Sequence, residues 1–208
     1  RTVTVAYRQP SKGRITDLVI DSTGLKVFGE GEWKVRKHGA EKRRVWRKLH
    51  LAVVPATHDI VAAEVSLENV HDAEVLPTLF NPLRRALGTV YADGAYDTKA
   101  CHAAIAARGA AAVIPTRKNA QTWKGSGAGV EARHETLRSA RHLGRTIWKK
   151  WSGYHRRSLV ETKMGCFKLL GERVMARDFD RQVTELQVRA AILNQFTRLG
   201  TPHTIRVS

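Results

Sequence analysis

Three apolar runs rich in β-branched residues lie close together in the first third of the sequence, and they restrict the possible fold more than any other feature. The first is DLVIDSTGLKVF at 17–28, and the other two lie within KLHLAVVPATHDIVAAEVSL at 48–67. Runs of this kind, bounded by glycine, proline or charge, are typical of strands with a buried face. The Pro-Ala-Thr-His-Asp link inside the second stretch predicts a hairpin. We therefore expect three adjacent antiparallel strands.

Strands and helices then alternate along the rest of the sequence. In chain order, the patterns predict a helix at 71–87 that is kinked or divided at Pro77 and Pro82, a strand at 88–97, an Ala-rich helix closed by Gly109, a strand at 111–116, a polar glycine-rich loop, and helices at 152–177 and about 180–199. This order predicts an α/β protein with a mixed five-stranded sheet flanked by helices. It is the element order of the ribonuclease H-like fold. We expect one domain over 1–208, with a basic loop at 29–48 and a basic segment at 117–152 as insertions.

The charge of the chain indicates a polyanionic partner. Lys and Arg number 36 against 19 Asp and Glu, which gives a formal net charge of +17, and 42% of the residues are hydrophobic. A folded body with this excess of positive charge is typical of a nucleic-acid-binding protein. Cys101 and Cys166 are isolated and have no zinc-site spacing to the histidines. No apolar run approaches a membrane span, so we expect a soluble cytoplasmic protein.

Two aspartates end predicted buried strands. Asp21 follows Leu-Val-Ile, and Asp93 follows Val-Tyr-Ala and precedes Gly94. Each has an ordinary explanation, since Asp21 could form an Asx turn with Ser22 and Asp-Gly is a common turn dipeptide. Two carboxylates at the ends of two strands are more informative together, because ligands gather beside strand ends in open sheets.

Glu161 is an acidic residue within a strongly basic predicted helix. At about 100° per residue, Tyr154, Arg157, Glu161, Gly165 and Lys168 fall on one face. The ordinary explanation is a solvated stripe with an i,i+4 ion pair between Arg157 and Glu161. That explanation does not account for Tyr154 or Gly165 on the same face. Asp21, Asp93 and Glu161 together form an oxygen-only set, which favours Mg²⁺ or Mn²⁺ and could hold two ions.

The spacing of four residues then becomes recognisable. Tyr154, Arg157, Glu161 and Lys168 reproduce a Y-x2-R-x3-E-x6-K pattern, and the chain thereby resembles bacterial insertion-sequence transposases of the DDE class. VIDSTGLKVFGEGEWKVRKHG and VYADGAYD resemble the segments around that family's first and second catalytic aspartates. WRKLHLAV and IPTRKNA resemble further family blocks. The resemblance extends from about residue 15 to residue 196.

This resemblance implies a metal-dependent DNA transposase with a ribonuclease H-like fold. Asp21, Asp93 and Glu161 would be the catalytic, metal-binding triad, whereas Tyr154, Arg157 and Lys168 would contact the transposon end. In the family, cleavage frees a 3′-hydroxyl that then attacks target DNA. The implied partners are double-stranded DNA, as inverted-repeat ends and as target, and a second copy of the chain in a homodimer on DNA. The family's usual N-terminal helical region, which reads the inverted repeats, is almost absent here. With DNA as the implied partner, we expect a nucleoid-associated protein.

Two basic stretches are candidate DNA contacts. The stretch 32–48 includes Trp33 and Trp46, and the stretch 133–157 includes Trp148 and Trp151. We expect Trp46 to be a core anchor, while Trp123, Trp148 and Trp151 could either anchor loops or stack on unpaired bases. Beyond the residues of the Y-R-E-K pattern, the predicted DNA-binding side chains are Lys34, Arg36, Lys37, Arg43, Arg44 and Lys118.

Three functions remain open on the sequence. The first is a Mg²⁺-dependent transposase that cleaves and joins DNA. The second is a related nuclease that cuts without joining. The third is a catalytically silent or truncated relic that binds DNA as a repressor.

Overall fold

A computed structural model describes residues 5–8, 12–28 and 45–200 of the chain. Within these residues, the strands are β1 (Ile15–Val27), β2 (Trp46–Val54), β3 (Asp59–Leu67), β4 (Leu87–Tyr91), β5 (Ala111–Val113) and β6 (Arg173–Val174). The helices are α1 (Asp72–Phe80), α2 (Lys99–Ala107), α3 (Ala128–Leu143), α4 (Arg145–Trp151), α5 (Ser158–Leu169) and α6 (Phe179–Leu199). Two 3-10 turns cover Gly94–Tyr96 and Tyr154–Arg157.

One mixed sheet forms the centre of the molecule. Its strand order is β3-β2-β1-β4-β5, and β6 pairs separately with β1. The first three strands are antiparallel, whereas β4 runs parallel to both β1 and β5. This arrangement confirms the predicted α/β, ribonuclease H-like order of three antiparallel strands followed by alternating strands and helices.

Helices cover both faces of this sheet because successive side chains of a strand point to opposite sides. Leu18 and Ile20 of β1 pack in one core with α1 and α2. Val19 and Leu25 pack in a second core with α5 and α6. β1 therefore forms the centre of a three-layered structure and contributes to both cores.

The edge of β1 that faces β4 is only partly paired. β4 pairs with β1 as far as Val19, and β6 pairs with it from Lys26 onwards. Within the described chain, residues 20–25 of β1 have no strand partner on that side. A side chain from another element can therefore approach β1 there.

Several predicted helix bounds are wrong. The helix expected at 71–87 ends at Phe80, before Pro82, and Leu87 instead begins β4. The helix expected at 152–177 is a 3-10 turn followed by α5, and its last part forms the short strand β6, whose Val174 is buried against β1. Gly171, at φ 145°, separates α5 from β6 in a backbone conformation that favours glycine.

Helices α3 and α4 were not predicted at all. They occupy much of the basic segment 117–152, where the sequence indicated only a polar loop and a mixed basic stretch. Arg133 and Leu137 are the buried residues of α3, and Trp148 is the buried residue of α4. With so few buried apolar positions, the helical periodicity of this segment is too weak to read from the sequence.

Candidate active site

The first two candidate ligands are Asp21, within β1, and Asp93, just after the end of the neighbouring parallel strand β4. Asp21 is two residues beyond Val19 on β1, and Asp93 is two residues beyond Tyr91 on β4. Val19 and Tyr91 are register partners and both belong to the core under α5 and α6. Strand alternation directs Asp21 towards the face that α5 covers, and the charge of Asp93 acts on both Asp21 and Arg157, which places Asp93 near them.

Glu161 reaches this region through Arg157. The Arg157 Nη2 donates to Asp21 Oδ2 at 2.9 Å, and Nη1 donates to Glu161 Oε1 at 2.5 Å. Arg157 ends the 3-10 turn, and Glu161 lies one turn later in the first part of α5. The predicted i,i+4 ion pair is thus present, and its guanidinium also binds a carboxylate 136 residues away in sequence.

The backbone before α5 is anchored by the preceding arginine. Arg156 Nη1 donates to Tyr91 Oη at 2.8 Å and lies 3.5 Å from Asp17 Oδ2. Because Asp17 and Tyr91 belong to β1 and β4, these contacts fix the 3-10 turn against both strands. This role of Arg156 was missed, since nothing in its local sequence distinguishes it from the other basic residues.

Burial and charge change the ionisation of the site. Burial raises the pKa of Asp21, and the charge of Asp93 adds to the rise, while Arg157 and the Ser22 N–H oppose it. Burial likewise raises the pKa of Tyr154, and the carboxylates of Asp93, Asp21 and Glu161 add to that rise against the effect of Arg157. Tyr154 therefore lies within the electrostatic reach of all three acidic side chains and is a neutral phenol there.

Asp93 has a different local contact. Its carboxylate accepts a hydrogen bond from the Ala95 N–H at 2.9 Å and caps the 3-10 turn that begins at Gly94. The Asp-Gly turn considered from the sequence is thus present as well. Within the described ranges, no three Asp, Glu, His or Cys side chains are arranged to hold a single metal ion.

A further carboxylate near Asp21 was not predicted to belong to the site. Asp72, the first residue of α1, accepts from Ser22 Oγ at 2.9 Å and from Lys48 Nζ at 3.2 Å. Ser22 follows Asp21 and points to the opposite face, so Asp72 lies across β1 from Arg157. Tyr96 is buried nearby: burial raises its pKa well above the usual value, and the charges of Asp72, Asp93 and Asp21 add to the effect. Its hydroxyl has no hydrogen-bond partner in the described structure.

The other predicted contact residues are more scattered. Lys168 is exposed near the end of α5, and Lys118 is exposed in the loop after β5. Lys118 lines a pocket of about 360 Å³ together with Arg117, Arg141 and Arg145. Five predicted side chains lie outside the described residues: Lys34, Arg36, Lys37, Arg43 and Arg44.

The tryptophans have separate environments. Trp46 lies under Lys26 at the start of β2, with the Lys26 nitrogen 5.4 Å from a ring centroid. Trp148 is buried, whereas Trp151 is 76% exposed. Trp123 packs against Arg133, whose guanidinium carbon is 4.2 Å from a ring centroid. Of these four, Trp151 is the one whose exposure leaves its ring open to a base.

A known protein family matches most of the chain. The family described as Transposase DDE domain matches residues 12–195. The chain belongs to the Transposase DDE domain family. Membership in it indicates a transposase-type function with DNA as the substrate, and DDE transposases generally use divalent metal ions. In the part of this DDE transposase domain that the structure describes, no helix has the length and apolar character needed to cross a membrane.

Proposed function

We propose that the protein is a transposase that cleaves DNA at the ends of an insertion sequence and joins the freed 3′-hydroxyl to target DNA. The observation that carries this proposal is the convergence of Asp21 and Glu161 on one guanidinium, that of Arg157. The charge of Asp93, just beyond the end of β4, acts on the same guanidinium. The excess of positive charge on the chain provides a means of holding DNA there.

The chemistry of the three side chains fits magnesium or manganese. Asp21, Asp93 and Glu161 offer carboxylate oxygens without sulfur or imidazole, which are the ligands that these ions prefer. Two such ions held by these carboxylates would supply activation of an attacking oxygen and stabilisation of the leaving oxygen of a phosphodiester.

The proposed reaction has two steps, and each step breaks one phosphodiester bond. In cleavage, a water oxygen bonds to phosphorus and the bond to the 3′ oxygen breaks, which leaves a 3′-hydroxyl and a 5′-phosphate. In joining, that 3′-hydroxyl bonds to a target phosphorus and releases the target's own 3′ oxygen. Tyr154, Arg157 and Lys168 would orient the strand in both steps, with Arg157 or Lys168 near the reacting phosphate.

The other DNA contacts are proposed from the basic segments. Segment 117–152 would contact DNA through Lys118 and the neighbouring arginines of its pocket, where no acidic side chain is present among the described lining residues. The basic loop 29–48 would add Lys34, Arg36, Lys37, Arg43 and Arg44. Because two transposon ends must be brought together, we propose that two copies of this single catalytic domain act on DNA as a homodimer.

Strand cleavage tests the assignment of the three carboxylates. Short terminal inverted repeats in the DNA flanking the gene would provide the substrate, as a labelled duplex incubated with Mn²⁺ and a target plasmid. We expect Asp21→Asn, Asp93→Asn and Glu161→Gln each to reduce cleavage by at least about a hundredfold. Glu131→Gln, which removes an exposed carboxylate of α3, is the matched control and should leave cleavage unchanged.

The products separate the proposed function from the two alternatives. Labelled ends joined to the plasmid support the transposase, and loss of activity in the three variants supports the site. Hydrolysed ends without joined product would indicate a nuclease instead. DNA binding without any cleavage by the wild-type protein would indicate a silent relic that acts as a repressor.

A further inference from the structure

Arg157 provides both ion-pair contacts that the carboxylates of Asp21 and Glu161 make within the described chain. Its two terminal nitrogens lie 2.9 Å from Asp21 Oδ2 and 2.5 Å from Glu161 Oε1. The Arg157 side chain is 17% exposed, against 14% for Asp21 and 55% for Glu161. The Arg157 Nε is buried and has no hydrogen-bond partner in the described structure. The guanidinium is therefore largely removed from water and held by two acidic groups.

Electrostatic repulsion between carboxylates explains why Asp21 and Glu161 both bind Arg157. Carboxylates brought close together repel one another, and partial burial strengthens that repulsion because there is less water to screen it. A guanidinium between two carboxylates neutralises part of their charge and satisfies one oxygen of each. The acidic neighbours in turn act on Arg157: burial lowers its pKa, but Asp21, Tyr154, Glu161 and Asp93 outweigh this and hold the pKa above its usual value.

The proposed function requires the same oxygens for another cation. A divalent ion bound to Asp21 Oδ2 and Glu161 Oε1 would lie beside the guanidinium, and the two positive charges would repel each other and weaken each other's binding. Any ion that binds both carboxylates has to compete with Arg157. Arginine has a second possible partner, since its planar fork also matches the geometry of a phosphate group.

We infer that Arg157 is the internal counter-cation of the DNA-free site, and that it competes with the divalent metal for Asp21 and Glu161 until a DNA phosphate accepts it. This inference rests on the proposed function, because it takes Asp21 and Glu161 to be metal ligands. Metal loading is then coupled to DNA engagement: the bound strand attracts Arg157, and the carboxylates become available. The coupling keeps metal occupancy low in a protein that carries no substrate.

The position of Arg157 in the chain permits such an exchange. It is the last residue of the 3-10 turn, which starts after Gly153 in a left-handed conformation at φ 70°. Arg156 is attached separately to Tyr91 and Asp17, so the backbone of the turn stays anchored when the Arg157 side chain changes partner. The change requires only side-chain rotation in Arg157, together with the loss of two ion pairs.

Mn²⁺ binding without DNA tests the competition directly. Titration calorimetry, or the paramagnetic resonance signal of free Mn²⁺, would compare wild type with Arg157→Gln. We expect Arg157→Gln to bind Mn²⁺ at least about tenfold more tightly, because it removes a partly buried positive charge that contacts both proposed ligands. Lys150→Gln removes an exposed positive charge from α4 without touching either carboxylate and is the matched control. Its effect should remain within about twofold, as expected for a screened charge.

Two further variants keep the result interpretable. Arg157→Lys retains the charge but has no fork to bind both carboxylates, so it should also bind Mn²⁺ more tightly than wild type; it replaces Arg157→Gln if that variant does not fold by circular dichroism. Equal or weaker Mn²⁺ binding by the folded Arg157 variants would overturn the inference. In that case, loss of binding in Asp21→Asn would still support the metal site itself. Mn²⁺ binding that does not depend on Asp21 would instead overturn both the inference and the proposed site.

Discussion

Arg133 and Asp97 form a buried, bidentate ion pair between α3 and the end of the 3-10 turn that follows Asp93. Arg133 Nε and Nη2 each lie 3.2 Å from one Asp97 oxygen, and the two side chains are 2% and 1% exposed. Burial alone would raise the pKa of Asp97, but contacts with His102 and Arg133 outweigh it and hold the pKa below its usual value. Arg133 belongs to the basic segment expected to contact DNA, yet its charge is directed into the protein.

The Asp97–Arg133 pair should be a major determinant of stability. Arg133→Met removes the guanidinium from the buried Asp97 carboxylate and leaves it only His102 and the Arg117 N–H, so we expect it to lower the free energy of unfolding by about 3 kcal/mol in urea titrations. Arg138→Met is the matched control, because Arg138 pairs with Glu135 on the exposed side of the same helix. A double variant, Arg133→Met with Asp97→Asn, should be less destabilised than the sum of its parts. Strict additivity would contradict this account.

Asn194 should be needed to hold α6 against the edge of the sheet. Its amide nitrogen donates to the Ile60 and Tyr7 carbonyls, both at 2.8 Å, and its oxygen accepts from the Ile60 N–H at 2.7 Å. Asn194→Leu would leave these backbone groups buried and unpaired, so we expect a loss of about 3 kcal/mol in the free energy of unfolding. Gln195→Leu, at an exposed position beside it, should change that free energy by less than about 0.5 kcal/mol. Equal effects of the two variants would contradict the role of Asn194.

His50 should make the fold sensitive to acid. It is fully buried on β2, its Nε2 lies 2.9 Å from Ser66 Oγ, and burial lowers its pKa from 6.5 to about 4. Because the folded pKa is depressed, the neutral ring stabilises the protein fully above about pH 6.5. This stability is lost as the pH falls from there towards 4.

The acid sensitivity can be measured by chemical unfolding at two pH values. Between about pH 7.5 and pH 5, His50 becomes protonated in the unfolded chain but stays mostly neutral in the folded protein. This difference should remove about 2 kcal/mol from the free energy of unfolding of wild type. His50→Gln should lack this part of the loss. His142→Gln, which changes an exposed histidine of α3, should behave as wild type does. The same pH dependence in all three proteins would show that His50 is not responsible.

Lys118 should contribute to DNA affinity through a phosphate contact. Lys118→Gln should weaken binding similarly for all duplex sequences and reduce the slope of log affinity against log salt by about 1. Arg84→Gln is the matched control, because Arg84 is exposed before β4, at the end of the sheet opposite Asp93. Fluorescence anisotropy at several salt concentrations measures both slopes. An unchanged slope for Lys118→Gln would remove Lys118 from the DNA interface.

Local patterns in the sequence predict much of the sheet. The β-branched runs identify β1, β2 and β3, and the two aspartates that follow buried residues identify candidate positions on neighbouring strands. The position of Glu161 on a basic helix, together with its spacing from Tyr154 and Arg157, was likewise readable from the sequence. These features were accessible because strand alternation and helical periodicity involve residues close together in the chain.

Contacts between distant segments could not be read in this way. The sequence alone determined that an aspartate follows each of two apolar runs and that the chain carries an excess of positive charge. Only the tertiary structure decided that Arg157 binds Asp21, that Arg133 turns inward to Asp97, and that residues 173–174 extend the sheet rather than α5. The physical reason is that a charged residue can have the same kinds of sequence neighbours whether its side chain faces water or pairs with a buried partner. Its environment depends on which distant segment packs against it.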